Sequence, residues 1–139
     1  MSLKLSVDYA NAYLEYLMGK RASLPSAKEV WVGLSTNDPS SGTFTECSGN
    51  GYARKLIAVV GNTYVDYIGE ASDRSIENTD QVVFPKATGA YTVKGIGLFT
   101  AESGGAPFAY GPLTGSNTSV SVVKDALPMF EIGGLGLNM

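Results

Sequence analysis

The sequence contains no histidine. That removes Ser-His-Asp and Cys-His catalysis, and with them the commonest zinc and copper ligand sets. There is one cysteine, Cys47, so no internal disulfide forms, and no imidazole exists to activate the thiol. A lone Cys in a polar loop fits a reducing compartment, and its simplest reading is an incidental thiol. No run of 18 apolar residues occurs, so no membrane-spanning helix and no membrane partner are expected. The N-terminus lacks a charged segment followed by a long apolar one, so no signal peptide is expected. Charged residues make up 17% of the chain, below the usual ~25%. The net charge is −3 and the basic residues are scattered, which excludes a nucleic-acid partner of the ordinary kind. No Gly-rich segment ends in Gly-Lys-Ser/Thr, so there is no phosphate loop. Ser48-Gly49-Asn50-Gly51 precedes a strand, not a helix, and reads as a turn. Asn37, Asp38 and Glu46 in one loop, and Asp73, Glu77 and Asp80 in another, lack a calcium-loop spacing. With 13 acidic residues some carboxylate pair always exists, so glycosidase chemistry has no real signal. Asn117-Thr118-Ser119 matches the N-glycosylation triplet, which matters only in a secretory context. No cofactor and no metal are expected.

What the sequence has is length for one domain, 139 residues, with 17 glycines and abundant Ser, Thr and Val. The segment 6–18, SVDYANAYLEYLM, is the only good helix candidate. Tyr9, Tyr13, Tyr16 and Leu17 recur at three- and four-residue spacing, and Ala10, Leu14 and Met18 widen the apolar stripe. Ser6 or Asp8 caps its start, Gly19 stops it, and Lys20-Arg21 complements its negative end. The stripe either packs on a sheet or, in part, meets a neighbouring subunit, where tyrosine is favoured. A connector broken by Pro25 follows.

Residues 30–57, VWVGLSTNDPSSGTFTECSGNGYARKLI, read as strand, long polar loop, strand. Val30, Val32 and Leu34 alternate with Trp31, Gly33 and Ser35. The second strand starts at Gly51-Tyr52 and runs to Val60. Loops of this length are usually functional or mobile, and this one reads as a projecting contact arm. Arg54 either faces solvent or holds the loop by pairing with Asp38 or Glu46, a task suited to its five-donor fork. Further on, Gly61-Asn62 marks a turn, 64–68 a short strand, 70–80 a polar loop, and 81–84 a strand ended by Pro85. The next strand, 91–100, has Gly95 and Gly97 making room for Trp31 or a tyrosine. Strands at 108–113 and 119–122 flank a turn at 115–117. A last strand, 125–133, contains Pro128 and precedes an apolar, flexible tail, 133–139. About eight short antiparallel strands with one N-terminal helix indicate a β-sandwich or jelly-roll-like barrel.

The order of three pieces is specific: G-Y-A-R at 51–54, F-P-K-A-T-G at 84–89 and G-I-G-L-F-T-A-E-S-G-G at 95–105. In this order, behind a tyrosine-rich helix, they resemble a group of small virion proteins of tailed bacteriophages, variously labelled tail-fibre-like or capsid decoration and cement proteins. The resemblance implies a non-enzymatic structural protein of the virion, made in the bacterial host cytoplasm. Its main reading is a capsid cement protein, a homo-oligomer (dimer or trimer) that bridges major capsid protein subunits or other virion proteins. The alternative is a tail-fibre, fibre-adaptor or receptor-binding component, with the 36–50 loop at a tip and Trp31 and tyrosines as stacking platforms. Candidate partner contacts are Tyr9, Tyr13 and Tyr16 on the helix, Asn37, Asp38 and Phe44 in the loop, and Leu135 and Leu137 in the tail. Arg54 is the candidate loop anchor.

Overall fold

The computed structural model describes residues 2–23, 28–61, 65–72, 74–114 and 118–138. The expectations placed on Pro25, Asn62, Tyr64, Asp73, the 115–117 turn and Met139 lie outside them. The described residues form a mainly β fold with a single α-helix, in keeping with the expected class.

The helix α1 spans Val7–Leu17. Ser6 caps it, its hydroxyl accepting from the Tyr9 N–H at 3.4 Å. Gly19, at φ +74°, ends it. The Gly19 and Lys20 N–H groups donate back to the Tyr16 and Glu15 carbonyls, satisfying two orphan acceptors of the last turn. Arg21 lies 3.8 Å from Glu15 in an exposed ion pair.

Among the described residues eleven strands run in chain order. They are β1 (Ser2–Leu5), β2 (Glu29–Ser35), β3 (Lys55–Val59), β4 (Ser75–Glu77), β5 (Val82–Val83) and β6 (Tyr91–Val93). After these come β7 (Gly95–Phe99), β8 (Ala109–Pro112), β9 (Val120–Val122), β10 (Met129–Phe130) and β11 (Gly136–Asn138). Seven form one sheet in the order β3-β2-β7-β8-β1-β11-β4, and β5-β10 and β6-β9 form two short ladders.

Several expectations are corrected here. The first residues form β1, and the 133–139 tail is not free, because it supplies β11 between β1 and β4. Both end segments run the same way side by side, so β1 and β11 pair in parallel, and the sheet is mixed, not wholly antiparallel. The polar 70–80 segment contributes β4, an edge strand with one apolar residue, Ile76, facing Leu137. The 91–100 strand breaks at Lys94, whose N–H donates to Ser35 and whose carbonyl accepts from Leu113. The 125–133 segment forms only the two-residue β10, after Pro128.

Register explains the core. Val32 pairs with Leu98, Leu34 with Ile96, and Leu98 in turn with Ala109, so these side chains share one face. That face is buried with Leu3 and Ile57, with Val82, Val93 and Val122 from the short ladders, and with Phe84 just after β5. The opposite face carries Trp31 against Phe99, Gly33 against Gly97 and Ser35 against Gly95. Three glycines on two adjacent strands leave a shallow track there. The 36–54 loop lies in this track.

Candidate functional site

The long loop begins where β2 ends. Asn37 braces it from within: its amide donates to the Thr43 carbonyl at 2.8 Å and its Oδ1 accepts from the Thr45 N–H at 3.0 Å. The Asp38 carboxylate accepts from the Ser40 N–H at 2.9 Å and caps a single 3-10 turn, Pro39–Ser41. The side chain and backbone of Ser40 both hold its carboxyl below the usual range. Pro39 is buried against Gly95. Phe44 sits over Gly97, edge-on to Phe99 with ring centroids 5.5 Å apart. A Cβ on Gly97 would stand 2.9 Å from the Phe44 ring and 3.0 Å from Pro107. One on Gly33 would stand 2.7 Å from Phe99 and 3.0 Å from the Tyr52 hydroxyl. The bare strand surface is therefore what lets the loop seat, and the loop does not project.

Arg54 locks it. Its Nε donates to Glu46 Oε2 and its Nη2 to Glu46 Oε1, both at 2.8 Å. Its Nη1 donates to the Ala101 and Gly104 carbonyls, each at 2.9 Å. The guanidinium stacks 3.5 Å from the Phe99 ring centroid. The partner is Glu46, not Asp38. Tyr52 completes the cluster: its hydroxyl donates to Glu46 Oε2 at 2.6 Å and accepts from the Leu34 N–H at 3.0 Å. A side chain thus takes the place of a ladder partner for Leu34, which is why β3 starts at Lys55 and not at Tyr52. Burial pushes the Glu46 carboxyl up, but the bonds from Arg54 and Tyr52 and the Arg54 charge outweigh it, so it titrates below its usual value. Burial, then the bond to Glu46, pushes the Tyr52 phenol up. Cys47, next in the chain, is buried, not an open loop thiol. Burial, and then the Glu46 charge, raise it to about 11. At neutral pH it is a protonated, unreactive thiol.

Two further features surround the clamp. A groove of about 590 Å³ runs between the loop (Gly42, Phe44), the 105–107 turn and the start of α1, floored by Phe99 and Tyr110. An apolar cavity of about 330 Å³ lies between α1 and the sheet, lined by Leu5, Tyr9, Tyr13, Val30, Phe108 and Leu137 among others.

The other sequence candidates fall as follows. Tyr9 is half-buried and packs on Phe108 with centroids 5.4 Å apart. Tyr13 faces the same cavity, and Tyr16 is 39% exposed. The side of α1 turned to solvent carries instead Val7, Leu14, Leu17 and Met18. Leu135 is 2% exposed, in the core, and Leu137 is held in β11 beside Leu3 and Ile76, so the tail residues are used within the subunit. Trp31 is half-buried across from Phe99 and offers no open platform. Sequence reasoning missed Asn78, a buried amide that donates to the Asp80 and Glu131 carbonyls and accepts from the Leu135 N–H at 2.9 Å. It ties the C-terminal strand to the body. Among the described residues no cluster of three metal-ligating side chains occurs, and no helix is long and apolar enough to cross a membrane.

A framework of interlocked loops and strands with its best-placed acid already engaged fits a protein that is built into something. The family model described as Podophage GP4 fiber I protein gp80 matches residues 4–138. The chain belongs to this family. It is therefore a tailed-phage virion protein of the tail-fibre kind, and it associates with other virion proteins. A comparison with curated proteins finds no match. The tailed-phage resemblance stands, and of its two readings the family favours the tail fibre over the capsid cement.

Proposed function

We propose that this chain is a non-catalytic structural component of the phage tail-fibre apparatus, acting as a fibre or fibre-adaptor module. Membership of the fibre family over residues 4–138 carries the reading. The fold adds support. The cement reading drew on the long loop and the tail as contact segments, yet the long loop is folded onto its own sheet and the tail is an inner strand. The non-catalytic part follows from the fibre family, and the way Glu46 is used agrees with it. The best-enclosed acid of the loop is held bidentately by Arg54 and bonded by Tyr52, and its carboxyl is biased toward the ionised form. A general acid needs the opposite bias. The clamp instead makes a stiff surface from a polar loop, which lowers the ordering cost of binding a neighbour.

Gold-labelled antibody against the protein, applied to purified particles, tests the assignment. Label on the tails is expected. Label spread over the shell rejects it and restores the capsid-cement reading.

A further inference from the structure

Asn50-Gly51 is the one Asn-Gly pair in the chain, and the fold asks for both residues. They stand at φ +54° and +81°, and the Tyr52 N–H donates to the Gly49 carbonyl at 3.0 Å. Two left-handed central residues closed by that bond make a type I′ turn, which favours Asn-Gly. A Cβ on Gly51 would stand 2.7 Å from the Lys86 carbonyl oxygen and 3.0 Å from the Thr88 nitrogen, so only glycine fits. Asn50 ties the turn to the 86–90 segment. Its Nδ2 donates to the Ala90 carbonyl and its own carbonyl accepts from the Thr88 N–H, both at 2.9 Å. A Cβ on Gly89 would stand 2.5 Å from Asn50 Oδ1, so the amide lies directly on the bare Gly89 backbone.

The pair that the turn requires is also chemically labile. The backbone nitrogen of Gly51 can attack Asn50 Cγ. A C–N bond forms, the Cγ–Nδ2 bond breaks, and the amide nitrogen leaves as ammonia, taking the Gly51 N–H proton. Water then opens the resulting succinimide at either carbonyl and leaves aspartate or isoaspartate. Glycine shields its nitrogen least, because it has no Cβ. The docked turn opposes this step. In the left-handed conformation the Gly51 nitrogen is turned away from the Asn50 side chain across the Cα–C bond. Ring closure therefore needs the Asn50–Gly51 peptide plane to rotate, which breaks the bond to Thr88, and needs Cγ to move, which breaks the bond to Ala90.

We propose that Asn50 is a deamidation site guarded by the fold, intact while the 49–52 turn stays docked on residues 86–90 and lost irreversibly when it opens. The product carries an acid where the Ala90 carbonyl needs a donor, so the turn that leads into Tyr52 and Arg54 no longer docks in the same way. The purified full chain, incubated at mildly alkaline pH with and without guanidinium chloride and mapped by tryptic peptides in a mass spectrometer, tests this. The peptide 29–54 should convert to the acid, in both isomers, about tenfold or more faster in the unfolded chain. Gly89→Ala pushes the Asn50 amide off Ala90 and should raise the rate in the folded chain about tenfold, with the unfolded rate unchanged and melting curves reporting that the variant is folded. If Gly89→Ala does not fold, the comparison of the two wild-type states decides alone. An Asn50 that survives in the unfolded chain, equal rates in the two states, or a folded Gly89→Ala that deamidates at the wild-type rate overturns the proposal.

Discussion

Replacing Arg54 by Ala removes four hydrogen bonds and a stacking contact in one step. The Arg54 side chain is 3% exposed and that of Glu46 29%. Breaking a fully buried ion pair from one side costs about 3–5 kcal/mol. Glu46 retains access to water and recovers part of its hydration, which lowers the cost. The Ala101 and Gly104 carbonyls lose their charged donor and Phe99 its cation, at roughly 1 kcal/mol or more each, which raises it again. The balance is about 3–4 kcal/mol. For a chain of this length about 3 °C of melting temperature goes with each kcal/mol, so calorimetry should show a fall of about 10 °C. The loss is local in origin, so protease cleavage inside 36–50 should rise about tenfold or more before global unfolding. Arg54→Lys keeps the charge without the fork and should recover about half the loss. In a double-mutant cycle with Glu46→Ala the coupling should be about 1.5–3 kcal/mol. A melting temperature within about 2 °C of wild type, with an unchanged cleavage pattern, would refute the claim that this cluster holds the loop.

Acid should release the same clamp. The Glu46 carboxyl titrates below its ordinary value near 4.5, so its stabilisation is present above that pH and is lost as pH falls through the lower, folded-state value; melting curves across this range should lose stability in the wild type and less in Arg54→Ala. Gly97→Ala puts a methyl group against Phe44 and Pro107, and chemical denaturation should register about 1–3 kcal/mol, with Phe44→Ala in the same chain reducing the penalty. Asn78→Ala leaves the buried Leu135 N–H without its partner and takes the amide donor from the Asp80 and Glu131 carbonyls, of which Glu131 keeps the Gly134 N–H, which should cost about 2 kcal/mol and speed hydrogen exchange at residues 133–138 about tenfold or more; unaltered exchange there would show that Asn78 does not hold the last strand.

Some of this architecture is carried by local chemistry. The cap at Ser6 and the stop at Gly19 bound α1 because each satisfies backbone groups within a few residues. The alternation of β2 reports which side chains meet the core, because a strand has only two faces. The choice of Glu46 over Asp38 as the partner of Arg54 was not decidable along the chain. Asp38 is consumed locally by its own turn, whereas Glu46 is carried alongside Ser35 and brought over Phe99. The glycines at 33, 95 and 97 were visible, but their tenants, Tyr52, Pro39 and Phe44, depend on how the loop lies.

The sequence by itself determined the helix, the principal strands, the exclusion of histidine chemistry and the phage kinship, since these rest on short-range periodicity, composition and ordered short motifs. Only the tertiary structure decided that the loop is clamped and not extended, that the apolar tail is an inner strand, and that Tyr9 and Tyr13 of α1 turn inward while Val7, Leu14, Tyr16, Leu17 and Met18 turn out. Those outcomes depend on pairings between distant segments. β1 and β11 join the two ends of the chain, and the contact that orders such pairs is bought only when both partners are already in place.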